Sequence, residues 1–169
     1  MEYNYKFKNK KLFDLAMTHI SLANDLHIES NQRLEFLGDS VLSFVVATYI
    51  YNEYKKVDEG VLTELRANAV CEKTLAIAAR NLKLGEDLKF GKSERMSGGK
   101  DKDSVLADAY EALLAAIYLD SGIESAKDFI MDTIGSMIGD TSYVELENYK
   151  SEELVGEMAC FSRRVDTCA

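Results

Sequence analysis

The chain has 169 residues, 47% of them hydrophobic and 29% charged, with a formal net charge of −9. This length suits one domain that buries roughly 70% of the surface its unfolded form would expose. The composition excludes a disordered chain, and the acidic balance speaks on its face against a polyanionic partner.

Read in chain order, the first eleven residues are basic and aromatic, and a first helix is predicted from about Lys10 to His19, with Leu12, Leu15, Ala16 and His19 on one face. The polar stretch Asn24 to Asn31 reads as a loop. Ser30 or Asn31 can cap a second helix running to about Tyr54, whose row Leu34, Leu37, Val41 and Val45 should face the core. Gly60 breaks the pattern, and one or two helices follow over Leu62 to Leu82. From Lys89 to Asp103 the glycines Gly91, Gly98 and Gly99 among basic residues predict a loop. Ser104 is then expected to cap an apolar helix ending near Leu119, stopped by Ser121 and Gly122. A further helix is predicted over Ile123 to Ile138, followed by a weakly periodic tail with a short helix and a loose end.

With no proline and abundant Leu, Ala, Glu and Lys, the expected fold is all-α. The most apolar stretch, Val41 to Ile50, is broken by Ser43 and Thr48 and is too short to span a bilayer; no signal-like segment precedes it. The three cysteines, Cys71, Cys160 and Cys168, have no CxxC spacing. They fit a reduced cytoplasm better than a disulfide framework or structural zinc.

Two helices carry acids where acids are costly. Glu35 and Asp39 are four apart, and their row continues as Leu42, Val46 and Ile50; Asp108 and Glu111 are three apart, and theirs continues as Ala115, Tyr118 and Leu119. Buried carboxylates need a cation, strong donors or raised pKa values, and only Arg33 lies close in sequence to either pair. Two readings are open from the residues alone. First-turn acids favour the positive end of a helix and can face water. If the two helices pack together, the four oxygen donors instead suit a hard divalent cation such as Mg²⁺.

The segment Asn31-Gln32-Arg33-Leu34-Glu35-Phe36-Leu37-Gly38-Asp39-Ser40-Val41-Leu42 closely resembles the signature of ribonuclease III endonucleases. So does Leu106-Ala107-Asp108-Ala109-Tyr110-Glu111-Ala112-Leu113, followed by Ala116 to Gly122, while Thr18-His19-Ile20-Ser21 and Ser97-Gly98-Gly99 fall where that family has similar segments. The likeness covers residues 5 to 140. It implies an all-helical, homodimeric endoribonuclease that cuts double-stranded RNA with divalent metal ions, Mg²⁺ with Mn²⁺ able to substitute, leaving 5′-phosphates and short 3′ overhangs during rRNA and mRNA processing in the cytoplasm. The family's metal ligands map onto Glu35, Asp39, Asp108 and Glu111, with Asp39 and Glu111 the catalytic and least replaceable pair. Glu59 matches a secondary acid, and Gln32 stands where many members carry a glutamate. Phe36 matches an aromatic that members insert into the partner subunit; from the sequence alone an ordinary core phenylalanine is the favoured reading. Lys89, Lys92, Arg95, Lys100 and Lys102, and the Lys6 to Lys11 segment, are candidate phosphate contacts. His19 is expected to help fix the first helix, and Tyr49, Tyr51 and Tyr54 to serve packing or an interface.

The resemblance divides the chain into a catalytic domain over 1–145 and a remainder, 146–169, that is a tail or the truncated start of a C-terminal region. That remainder is too short for the double-stranded-RNA-binding domain that bacterial members usually carry; a compact form resembling Mini-III enzymes is the alternative, but the longer signature fits ribonuclease III proper better. The alternative function is a non-catalytic dimeric RNA-binding or ribosome-associated relative, or a dimerising scaffold.

Overall fold

The computed structural model describes residues 5–139. Nine α-helices follow one another among these residues: α1 Lys10–Ala16, α2 Ile20–Leu26, α3 Gln32–Glu53, α4 Glu59–Ala69, α5 Glu72–Asn81, α6 Leu84–Asp87, α7 Lys92–Met96, α8 Asp103–Ser121 and α9 Ile123–Ile134. The described residues contain no strand, only an isolated bridge between Thr18 and Lys89. The all-α expectation is met.

Helix α8 is the axis of the domain. Eleven of its nineteen residues are buried, from Val105 to Ile117, the pattern of a helix surrounded by others rather than lying on a surface. Its most extensive partner is α3, followed by α5, α9 and α1. Five of its buried residues are alanines, which leave room for neighbouring helices to come close. Tyr110 is fully buried, and its hydroxyl is satisfied by Thr133 Oγ1 of α9 at 2.6 Å, as a buried phenol requires.

Helix α3 is long and apolar enough to reach across a bilayer by length and composition alone. Here it is a core helix: Leu34, Val41, Leu42, Val45, Val46 and Ile50 pack inward, and Leu37 is half-buried. The row below Glu35 and Asp39 therefore does run into protein.

Several boundaries differ from the sequence reading, each for a local reason. The first helix stops at Ala16, and the polar text after it holds a second helix, α2, which His27 closes in the left-handed conformation (φ 55°) where a glycine is usual. Gly60 does not break a helix; it lies in the first turn of α4, which starts at Glu59 behind an Asp58 cap whose carboxylate accepts from Val61 N. The 62–82 region holds most of α4 and all of α5, the two helices allowed for there. The 89–103 segment is not irregular loop: α7 and a 3₁₀ turn, Gly99–Asp101, occupy most of it. Asn31 precedes α3, but neither it nor Lys102 before α8 caps through its side chain, and α8 begins at Asp103, one residue ahead of the expected Ser104 cap. α9 ends at Ile134, with a 3₁₀ turn over Gly135–Met137 completing the predicted span. The helix expected in the tail lies outside the described residues.

The N-terminal strap is fixed to the far end of α8. The Asp120 carboxylate accepts from Lys8 N at 2.8 Å, from Asn9 N at 2.9 Å and from the Tyr5 hydroxyl at 2.6 Å. The Asp120 anchor of the Lys6 to Lys11 segment thus sits roughly 13 Å along the axis from Glu111, away from Asp108 and Glu111.

Candidate functional site

Helices α3 and α8 cross where their backbones nearly touch. A Cβ built on Gly38 would lie 2.0 Å from the carbonyl oxygen of Glu111 and 2.5 Å from its carbon. No side chain but hydrogen fits there, so the glycine lets the acid-bearing turns of the two helices come together. Glu35 is one turn before Gly38, and Asp108 is one turn before Glu111.

Three carboxylates converge at this crossing. Glu35, Asp108 and Glu111 each offer an oxygen within 4.8 Å of the others, and all three are half-buried. Glu111 carries the strongest perturbation: burial, then the charges of Asp39, Asp108 and Glu35, push its pKa up to about 8. Burial followed by the Asp108 charge raises Glu35. Burial also raises Asp108, partly offset by His19. Among the described residues, no lysine or arginine forms a salt bridge with any of the three. Asp39, expected in the same cluster, is exposed at its edge and reaches Glu111 electrostatically without joining the 4.8 Å set. The bland reading of first-turn acids facing water does not hold for the half-buried three. Crowded anionic oxygens with no basic partner form a donor set suited to a hard divalent ion.

The basic segment beside the cluster is fastened at both ends. At its start, Lys89 N donates to Met17 O at 2.8 Å and His19 N donates to Lys89 O at 3.1 Å, while Gly91 N donates to Ser21 Oγ at 3.0 Å. At its end, Arg80 pairs with Asp103 and donates to the carbonyl of Asp101. A Cβ on Gly85 would stand 2.5 Å from Lys100 O, so α6 and this segment are also in backbone contact. Within the segment Lys102 Nζ donates to Glu94 Oε1 at 2.7 Å, and Lys89 Nζ reaches Asp14 Oδ1 at 2.6 Å. Arg95 donates to Phe90 O at 3.4 Å. Lys92 and Lys100 are exposed and have no such partner among the described residues, leaving them as the segment's most available cations.

Residues 17–19 also hold the start of α3. Asn31 N donates to Thr18 O at 2.9 Å, and Asn31 O accepts from Glu35 N at 2.9 Å. His19 does not fix α1 as expected; it caps α2, its Nδ1 accepting from Ser21 N at 3.2 Å.

On its outer face α3 bears Phe36, Phe44 and Tyr51, which are 77%, 62% and 71% exposed. With Ser40 and Thr48 between them, their spacing places them on one stripe. Phe36 is therefore not a core phenylalanine. Beside Tyr51, between α3 and α4, opens a cavity of about 190 Å³ lined by Ala47, Ile50, Leu62, Glu59 and Arg66. Glu59 lies here, outside the 35–108–111 cluster, and its Oε1 accepts from Thr63 Oγ1 at 2.9 Å. Tyr54 is buried and Tyr49 half-buried, so of the three tyrosines only Tyr51 is exposed.

A helical domain with a carboxylate crossing flanked by an ordered basic segment has the features of a metal-dependent nuclease domain. The family profile described as Ribonuclease-III-like matches residues 9–138, and the chain belongs to that family. It is 47% identical over 152 residues to "Ribonuclease 3" of Syntrophomonas wolfei, covering 88% of this chain and 65% of that one. With "Ribonuclease 3" of Caldanaerobacter subterraneus it shares 52% identity over 137 residues, 80% of this chain and 60% of that one. The chain thus spans less than two thirds of the length of these relatives. A nuclease-domain structure of ribonuclease III from Campylobacter jejuni, described in connection with dimer formation, superposes with a TM-score of 0.73 at 43% identity, covering 77% of this chain and 89% of that one. Dicer from Pichia stipitis shares the fold at 24% identity and a TM-score of 0.64, covering 89% of this chain and 66% of that one.

Proposed function

We propose that residues 1–145 form the catalytic domain of a divalent-metal-dependent endoribonuclease that hydrolyses double-stranded RNA as a homodimer. The observation that carries this is the convergence of Glu35, Asp108 and Glu111 without a basic partner, in a chain matching relatives named Ribonuclease 3. A non-catalytic relative has no observation in its favour, since the carboxylates are all present.

Glu35, Asp108 and Glu111 would hold Mg²⁺, with Mn²⁺ as a substitute, and Asp39 completes the set from the exposed edge. When bound, the ion supplies charge neutralisation at the scissile phosphate and makes water a usable nucleophile near neutral pH. The protein's own part is to hold the acids at a fixed spacing through the Gly38 contact and to keep them half-buried, so that their charge is poorly screened and the pull on a cation is strong. Lys92 and Lys100, with Lys89, Arg95 and Lys102 behind them, supply the positive face that a duplex backbone requires despite the acidic total.

The exposed α3 stripe supports the homodimer. Two copies packed antiparallel about an axis near Phe44 bring each Phe36 opposite the stretch just past the other copy's Tyr51, beside the 190 Å³ cavity. Such an interface is self-complementary, as two-fold pairing demands. It also carries Glu59 toward the other copy's α3 start, which makes Glu59 a secondary acid acting across the interface rather than within one chain. The cytoplasm, where thiols stay reduced and RNA is processed, is the proposed location.

The test is cleavage of a long, perfectly paired RNA at low salt, with Mg²⁺ and then with EDTA. Mg²⁺-dependent products ending in 5′-phosphates and short 3′ overhangs support the proposal. A folded, dimeric protein that leaves the duplex intact in Mg²⁺ and Mn²⁺ refutes it.

A further inference from the structure

His19 stands at the junction of the acid cluster and the basic segment, and its ring has one nitrogen to spare. Nδ1 accepts the Ser21 main-chain N–H at 3.2 Å and lies 2.8 Å from Ser21 Oγ. Ser21 Oγ itself accepts from Gly91 N at 3.0 Å, which links the ring's partner to the basic segment. With Nδ1 accepting the Ser21 main-chain N–H, the neutral ring carries its proton on Nε2. Burial is the largest influence on this imidazole and favours the neutral form.

The ring is also held in place. It packs against Phe90 with centroids 5.2 Å apart, and its main-chain N–H is tied to Lys89. His19 lies close enough to Asp108, Glu94 and Lys102 for their charges to act on it, and it acts on Asp108 in return. Yet no described residue accepts from Nε2. With Nδ1 engaged by Ser21 and the ring held against Phe90, Nε2 is the nitrogen left for a ligand oxygen.

We propose that His19 is a substrate-contacting residue whose Nε2–H donates to a phosphate oxygen of the duplex where it passes from the acid cluster to the Lys92–Lys102 face. This rests on the nuclease reading above and adds to it a neutral, directional donor among cations that act mainly through charge. Ser21 is the positioning residue: it sets the tautomer and links the ring to Gly91, so the donor and the basic segment move as one unit.

The substitution His19→Asn separates the two duties of the side chain. Asparagine is a good helix cap and can still accept from Ser21 N, but it does not reach the Nε2 position. His19→Ala loses both. Affinity for a perfectly paired RNA is measured with Ca²⁺ in place of Mg²⁺, across a salt series, alongside melting temperature and, in Mg²⁺, KM and kcat. His19→Asn is expected to keep the wild-type melting temperature, weaken binding about tenfold or more and raise KM more than it lowers kcat. At pH 8, above the ordinary imidazole range, the slope of affinity against salt should stay at its wild-type value, because a neutral donor releases no counterion, whereas Lys92→Ala reduces it by about one. Wild-type affinity in His19→Asn overturns the inference and leaves His19 a helix cap. Equal losses of melting temperature and affinity in His19→Asn and His19→Ala overturn it too. A wild-type protein that binds no duplex RNA overturns the functional reading itself, and this inference with it.

Discussion

Replacing Gly38 with alanine tests the claim that the spacing of the acids is set by backbone contact. The added Cβ would lie 2.0 Å from the Glu111 carbonyl oxygen, whereas real Cβ contacts essentially never fall below 3.0 Å. The helices must therefore part locally by at least about 1 Å, and the atom in the way is backbone, which has no rotamer to change. Overpacking of this kind costs about 1–3 kcal/mol, and the rigid neighbour puts this site near the upper figure. Alanine returns about 1 kcal/mol through its better helix propensity, leaving a net loss of about 2 kcal/mol, or a melting temperature lower by about 4–8 °C. The same displacement separates Glu35 and Asp39 on α3 from Asp108 and Glu111 on α8. A misplacement of about 1 Å can cost a hundredfold in rate, so cleavage should fall far more than stability. Differential scanning calorimetry and single-turnover cleavage at saturating Mg²⁺ measure the two effects. A Gly38→Ala protein that melts and cuts like wild type would refute the reasoning.

Other outcomes follow from the same geometry. In metal-free protein the folded state retains the Glu111 proton up to about pH 8, while the unfolded chain gives it up near the ordinary carboxylate value. Stability should thus be fully present below the unfolded value and decline as pH rises toward about 8. Glu111→Gln should flatten that decline and abolish cleavage with the fold intact, as seen by thermal melts between pH 5 and 9; an unchanged slope would count against the buried acid. Mg²⁺ binds the ionised acids, so it should raise the wild-type melting temperature more at pH 8 than at pH 6, an effect EDTA reverses. Phe44→Asp puts a charge at the centre of the α3 stripe and should give monomers by sedimentation, with the helical circular-dichroism signal retained. Asp58→Ala removes the α4 cap and should cost about 0.5–2 kcal/mol in urea titration, without altering cation affinity.

The long helices were legible because their periodicity is unambiguous. The Leu34–Val41–Val45 row and the apolar run of α8 face the core as read, and the acids at their starts converge because those rows bury. What the residues could not show is the depth of each acid: Asp39 shares a face with Glu35 but ends exposed, since the crossing at Gly38 covers one turn and not the next. Short helices escaped for a different reason. α2 lies in polar text and ends on a left-handed histidine, and α7 and the 3₁₀ turn after it are embedded in glycine-rich, basic sequence that reads as loop. Their stability comes from tertiary ties such as Gly91 to Ser21 and Arg80 to Asp103, which no local pattern encodes. The apolar row Leu12, Leu15 and Ala16 extends to His19 and so draws it into α1, whereas its ring contact, Phe90, is distant in sequence. The only hint was the Thr-His-Ile-Ser text itself, where a histidine two residues before a serine can cap a helix.

The double anchoring of the 89–102 segment bears on how fast a ligand can be captured. Surface segments with glycines ordinarily surrender conformational entropy when they meet a partner, which lowers affinity and can slow association. Here the ends are tied to residues 17–21 and to Arg80, and Gly85 and Gly91 fit against neighbouring backbone, so part of that ordering is already in place in the folded protein. If the segment meets the duplex proposed above, less rearrangement precedes contact, and the association rate should follow diffusion and charge, rising as salt is withdrawn.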